Sequence, residues 1–163
     1  MDNVNIYINQ THRSPRQSKG AYQYLISIMT NKGLADTKGF GVVEATAHEA
    51  ELIALRESLK RFTKPCILNI HSEHGYISQI VNNNWMQKWK ENGFKNAKGI
   101  EVAHAELLKD IDALLTGHEI ECADNNLDEF TDWMRNQLEI NYKEVMKGDM
   151  RNVKERFWRI QEC

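Results

Sequence analysis

Two stretches of the sequence carry side chains whose types and spacing suit chemistry. The first is His71-Ser72-Glu73-His74, where two imidazoles and a carboxylate lie close together. Such a set can hold zinc or manganese, because both metals accept nitrogen and oxygen ligands. The alternative is a histidine at a strand end that hydrogen-bonds to its surroundings. Ser72 is not predicted to be a nucleophile, since no strand–GxSxG–helix pattern surrounds it.

The second stretch runs from Trp85 to Lys98 and combines basic and aromatic side chains. One glutamate and four lysines give it a local charge near +3. The lysines are Lys88, Lys90, Lys95 and Lys98. Basic side chains interleaved with aromatic ones suit a nucleic-acid backbone. Trp85 and Trp89 are therefore candidate nucleic-acid contacts, but we favour the alternative that they pack with Phe94 and leave only the lysines facing phosphate.

Length and composition limit the class of protein. A chain of 163 residues suits one domain with a single core. The net charge of −2 gives no global nucleic-acid signal, so any basic surface must be local. Cys66, Cys122 and Cys163 are too few and too widely spaced for a disulfide framework, which favours a reducing cytoplasm. No signal peptide is recognised, and no window approaches the ~20 apolar residues of a membrane span.

Alternating and helical periodicities predict the elements that must position these side chains. The predicted strands are 4–9, 20–29, 37–45, 66–70 and 118–123, and the predicted helices are 47–62, 76–81, 101–115 and 125–140. Thr46 and Glu49 form a capping-box pattern at the first helix. The apolar run 66–70 predicts a strand buried on both faces. The order βββαβααβα predicts an α/β fold, a five-stranded mixed sheet flanked by helices.

The C-terminal stretch predicts a separate helical extension. We expect one domain at 1–140 and the extension at 141–163. Its apolar residues step by four and three, as in a coiled-coil seam. They are Met146, Met150, Val153, Phe157 and Ile160. We favour packing of this seam on the domain over a homodimer or a protein partner.

Three local patterns, in this order, resemble type 1 ribonuclease H over residues 4 to about 139. They are Glu51-Leu52-Ile53-Ala54-Leu55 after Thr46, the Trp85–Ala97 segment with its W-x3-W-x4-aromatic spacing, and Asp128-Glu129-Phe130-Thr131-Asp132. The second pattern resembles the basic protrusion of that family. The third resembles the start of its last helix, which carries the final carboxylate.

The resemblance implies two-metal hydrolysis of the RNA strand in RNA–DNA hybrids. The family gathers four carboxylates around magnesium, a hard cation that prefers oxygen ligands. The matching positions here are Asn9, Glu51, His71 and Asp132. Two of these four are no longer acids, so we expect magnesium binding to be weakened by orders of magnitude. A weak zinc or manganese site of His71, Glu51 and Asp132 is the alternative.

Other family features also differ. The family places a histidine in a Gly-rich loop before the last helix, whereas only Asp124-Asn125-Asn126 stands there. Thr46 matches a hydroxyl that contacts a DNA-strand phosphate in the family, although it can equally be a helix N-cap.

Three functions follow from these observations, in order of preference. The first is a catalytically degenerate ribonuclease H-like domain that binds hybrid or duplex nucleic acid without a firm cofactor. The second is an active ribonuclease that uses Mg²⁺ or Mn²⁺. The third is a protein-interaction module on the same fold. Whether the chain is an enzyme is left open, with inactivity favoured.

Overall fold

The computed structural model describes residues 1–124 and 129–147, without the side chains of residues 29 and 129–131. Five strands and five helices are found in this part of the chain. The strands are β1 Asp2–Gln10, β2 Ser18–Thr30, β3 Gly33–Ala45, β4 Cys66–Ser72 and β5 Glu119–Asp124. The helices are α1 Ala47–Leu59, α2 Tyr76–Asn82, α3 Trp85–Glu91, α4 Ala105–Leu115 and α5 Glu129–Met146.

The strands form one mixed sheet in the order β3-β2-β1-β4-β5. The first three strands pair antiparallel, whereas β1–β4 and β4–β5 pair parallel. This confirms the predicted α/β fold class, a five-stranded mixed sheet flanked by helices. The expected hairpin turn also lies between β2 and β3.

The core lies between the sheet and α1. Val4, Ile6 and Ile8 alternate along β1 and are buried in the same cluster as Leu52 and Leu55 of α1. Because successive side chains of a strand point to opposite faces of the sheet, this pattern determines which side chains of β1 face α1 and which face the other side.

Three predictions about elements need correction. The order is βββαβαααβα, because α3 is a separate helix. Helix α4 starts at Ala105 rather than 101, since Lys95 and Glu101 form an antiparallel bridge and His104 caps the helix. Strand β4 is not buried on both faces; its side chains alternate between buried and half-buried.

The C-terminal predictions are only partly covered. The expected domain boundary at 140 lies inside α5, which continues to Met146. The seam residues 150, 153, 157 and 160, and the short loop at 125–126, lie outside the described residues. The division into domain and extension therefore stays a prediction.

Two further observations bear on location. Cys66 and Cys122 are free thiols. Within the described part of the chain, every helix is too short or too polar to cross a bilayer. The cytoplasmic location stays a prediction.

Candidate functional site

The parallel register of β1 and β4 determines which side chains meet at the end of the sheet. Ile8 pairs with Ser72, and the Glu73 N–H donates to the Ile8 carbonyl at 3.3 Å. The neighbour of Asn9 is therefore Glu73. His71 lies two residues further back along β4 and pairs with Tyr7, so Glu73 and not His71 is the direct neighbour of Asn9, although His71 lines the same small cavity.

His71 is held by other partners. Its Nδ1 lies 3.0 Å from Asp124 Oδ1, and its Nε2 lies 3.1 Å from Asn5 Oδ1. Its ring stacks on Tyr7 with centroids 4.7 Å apart. These contacts match the alternative expectation of a strand-end histidine that hydrogen-bonds to its surroundings.

Glu51 reaches the same end of the sheet from α1 and is 1% exposed. Its Oε1 accepts hydrogen bonds from the Ser72 hydroxyl and from the Ile77 N–H, the latter at 3.3 Å. Burial raises the pKa of the Glu51 carboxyl, and the charge of Glu73 acts in the same direction against these hydrogen bonds. A buried carboxyl with a raised pKa is typical of functional sites and also occurs in structural networks of buried charges.

Helix α5 brings a cation to Glu73. Arg135 Nη2 lies 2.6 Å from Glu73 Oε1, and Arg135 Nε donates to the same oxygen at 2.7 Å. Arg135 Nη1 lies 3.6 Å from Asp132 Oδ1, one helical turn earlier. The Glu73 side chain is only 8% exposed, whereas that of Asp132 is 68% exposed. Arg135 therefore compensates the charge of the buried Glu73 more strongly than that of the exposed Asp132.

Asn9 stands beside this ion pair and is 2% exposed. Neither polar atom of its amide hydrogen-bonds to a described residue, and the same is true of Glu73 Oε2. The cavity lined by Asn9, His71, Glu73 and Met134 measures about 10 Å³. That is close to the smallest cavity that can hold one water molecule.

The side chains at this site do not fit the pair of magnesium ions that the resemblance implies. Asn9 is neutral, and Arg135 already supplies the positive charge between Glu73 and Asp132. Among the described residues, no three His, Cys, Asp or Glu side chains are grouped so as to hold a metal ion.

The weaker zinc or manganese site is also not assembled. His71 binds Asp124, Glu51 binds Ser72, and Asp132 contacts Arg135. The physical reason is that each of these three side chains is already bound to a different partner, although His71 lines the same small cavity as Asn9.

The loop between β1 and β2 adds a basic surface that the sequence analysis missed. Arg13 Nη1 donates to the Gln10 carbonyl at 2.7 Å and lies 3.3 Å from His74 Nε2. Arg13, Arg16 and Lys19 are all exposed. The signal in the sequence was a run of basic residues without an acid between residues 11 and 20.

The N-terminus of α1 ties this loop to the start of α4. Thr46 Oγ1 accepts a hydrogen bond from the Glu49 N–H at 3.1 Å, and the Glu49 carboxylate accepts one from the Thr46 N–H at 3.3 Å, so the capping box is confirmed. Gln17 donates to Glu49 Oε1 at 3.0 Å, and His104 Nδ1 lies 3.7 Å from Glu49 Oε2. The Thr46 hydroxyl keeps its own proton free to donate to a ligand.

The basic segment 85–98 separates into an inner aromatic side and an outer lysine side. Trp85 and Trp89 pack partly buried against the core with ring centroids 5.9 Å apart, and Phe94 is 8% exposed. All four lysines are exposed, namely Lys88, Lys90, Lys95 and Lys98. Lys90 Nζ lies 3.4 Å from an oxygen of Asp112, so part of its charge is offset. The tryptophans are thus structural here, as favoured above.

Comparison with known proteins agrees with this architecture. The family model for RNase H matches residues 4–124, about three quarters of the chain. The chain belongs to the ribonuclease H family. A relative named ribonuclease H, from Lachnoclostridium phytofermentans, is 26% identical over 119 residues, which are 72% of this chain and 75% of the relative.

Solved structures of ribonuclease H proteins share the fold. A crystal structure of a type 1 RNase H with the type 2 active-site motif superposes with a TM-score of 0.71 at 13% identity, covering 87% of this chain and 72% of that one. The foamy viral protease–reverse transcriptase, solved in complex with an RNA/DNA hybrid, gives a TM-score of 0.55 at 16% identity. It covers 84% of this chain and 19% of the viral one. At these identities the likeness establishes the fold alone.

Proposed function

We propose that this ribonuclease H family member binds nucleic acid, as hybrid or duplex, and does not perform two-metal hydrolysis. The observation that carries the proposal is the Arg135 guanidinium bonded to Glu73 beside the neutral Asn9. Two divalent ions between phosphates and protein need several carboxylates around them. Here the acid nearest Asn9 is already paired with a protein cation.

Two exposed basic surfaces support the binding part of the proposal. One is the lysine side of segment 85–98, and the other is formed by Arg13 and Arg16 of the β1–β2 loop with Lys19 at the start of β2. Each cation that contacts a phosphate releases counterions and so strengthens binding at low salt. The hybrid bound by the foamy viral protein, which shares the fold, makes a hybrid the first ligand to test.

The test is fluorescence anisotropy with labelled RNA–DNA hybrid, double-stranded DNA and double-stranded RNA, in EDTA, across a salt series. The double variant Lys88→Ala/Lys98→Ala is the main probe because neither lysine pairs with an acid of the described residues, whereas Lys90 does. We expect its slope of log affinity against log salt to flatten by about two units, since each phosphate contact contributes roughly 0.9. Lys90→Ala should change the slope less, because Asp112 already offsets its charge.

A matched control removes two lysines on other parts of the surface. Lys32 lies in the β2–β3 turn, and Lys60 caps the C-terminus of α1 and pairs with Glu57 at 2.9 Å. Lys32→Ala/Lys60→Ala should leave the slope close to that of the wild type. Equal slopes for both double variants would remove the lysine side of segment 85–98 from the proposal. No binding at low salt would remove the nucleic-acid proposal and favour a protein-interaction scaffold.

A metal-dependent ribonuclease is the second candidate. Relatives named ribonuclease H and the buried acids Glu51 and Glu73 favour it. The two candidates differ in one readout, the cleavage of the RNA strand in a hybrid when Mg²⁺ or Mn²⁺ is supplied.

A further inference from the structure

Arg135 makes the contact that joins α5 to the end of β4. Its Nε and Nη2 both approach Glu73 Oε1, at 2.7 and 2.6 Å, and its Nη1 approaches Asp132 at 3.6 Å. The Arg135 side chain is about one-third exposed, at 33%, whereas Glu73 is almost fully covered. One guanidinium thus faces two carboxylates that come from different elements.

A cation is needed at this position on electrostatic grounds. Glu51 and Glu73 are both buried near one another, and like charges in a low-dielectric place repel strongly. Removal of Arg135 would leave Glu73 with only the His74 imidazole close by among the described residues, its Nε2 being 3.8 Å from Glu73 Oε2, and a poorly compensated covered charge is destabilising. A planar guanidinium suits the task because its fixed donors match carboxylate geometry.

We propose that Arg135 is a built-in counter-ion that takes the place of a divalent cation between Glu73 and Asp132 and so holds α5 against the sheet. The neutral Asn9 is the matching change. The site already contains the carboxyl groups of Glu51, Glu73 and Asp132. A single guanidinium could not balance a further carboxylate at position 9, so an aspartate there would leave the site too negative. The inference rests on the proposed function in one respect, that no divalent ion occupies this place.

The experiment compares the wild type with Arg135→Ala and Asn9→Asp/Arg135→Ala by thermal melting and by calorimetric titration with Mn²⁺ and Mg²⁺. We expect Arg135→Ala to melt about 5 °C lower, because a buried carboxylate loses its charged hydrogen-bond partner. Added Mn²⁺ should recover part of that loss in the variant and have little effect on the wild type. The double variant should bind Mn²⁺ at least about tenfold more tightly than Arg135→Ala, since it adds a carboxylate.

Arg56→Ala is the matched control. Arg56 is similarly exposed, at 26%, and contacts Glu57 and Asp110 at 3.6 Å on the other side of α1. Its loss should not create a response to Mn²⁺. The proposal is overturned if Arg135→Ala melts like the wild type, or if neither Arg135 variant gains affinity for Mn²⁺ over the wild type.

Glu73→Gln/Arg135→Ala keeps the proposal testable if Arg135→Ala does not fold. With Glu73 neutral, no counter-ion is needed, so this double variant should fold and melt above Arg135→Ala. Failure of this double variant to fold would contradict the counter-ion role. None of these readouts depends on nucleic acid. The binding experiment on the lysine variants and the melting and titration experiment on the Arg135 variants can therefore fail independently of each other.

Discussion

At the residue scale, Glu51 shows how burial controls charge in this molecule. Its carboxyl is 1% exposed, and burial raises its pKa above the ordinary value of 4.5. A raised folded-state pKa means that the folded chain holds the proton more tightly than the unfolded chain. The resulting stabilisation is fully present below about pH 4.5 and is lost as pH rises through the folded-state pKa.

The variant Glu51→Gln tests the predicted direction in which stability changes with pH. Gln keeps the oxygen that accepts from Ser72 and Ile77 but carries no charge. We expect its melting temperature to exceed that of the wild type by about 3 °C at pH 7 and by little near pH 4, because removing one poorly solvated charge is worth about 1 kcal/mol. Glu57→Gln is the control, because it neutralises a half-buried carboxylate of the same helix that is paired with Arg56 and Lys60. A variant less stable than the wild type at pH 7 in EDTA would contradict the account.

Residue identities at the site could be predicted only in part. The sequence contained Asn9, Glu51 and Asp132, and the structure places Asn9 and Glu51 at the same end of the sheet. The sequence did not reveal that Glu73 is the neighbour of Asn9. A shift of one or two residues in the β1–β4 register changes which residue lies beside Asn9, and the apolar run 66–70 does not specify the register. Arg135 was missed because its partner Glu73 is 62 residues away in the chain.

At the element scale, the start of a helix was predicted correctly where local hydrogen bonds determine it and wrongly where a contact with a preceding loop determines it. The Thr46–Glu49 pattern predicted the start of α1, since both hydrogen bonds of a capping box lie within four residues. The pattern at 101–115 predicted a longer α4 than is found. The Val102 N–H donates a hydrogen bond to the Phe94 carbonyl at 2.9 Å, which commits residues 101–104 to a tight loop before the helix begins.

Thr46→Ala tests the element-scale argument. Loss of the cap should lower the free energy of unfolding by about 1 kcal/mol, or roughly 3 °C in melting temperature. Thr46→Ser keeps the hydroxyl and should cost less than half as much. If Thr46 also donates to a phosphate, hybrid affinity should fall in the alanine variant and be retained in the serine variant. Equal stability of all three proteins would contradict the capping role.

At the scale of the whole molecule, a small net charge of −2 conceals an uneven distribution. Acids collect at the end of β1 and β4, where protein cations already face them, and exposed lysines and arginines lie on segment 85–98 and on the β1–β2 loop. The family fold was predictable from element order and three local patterns. What the site does was not, because it depends on charges that only the folded chain brings together.

The most direct test of this account is incubation of the purified protein with labelled RNA–DNA hybrid in Mg²⁺ and, separately, in Mn²⁺. We predict that the hybrid is bound and stays intact, with wild type and Glu51→Ala giving the same product profile. Cleavage of the RNA strand by the wild type that disappears in Glu51→Ala would contradict the central claim that Arg135 and Asn9 have replaced the metal chemistry.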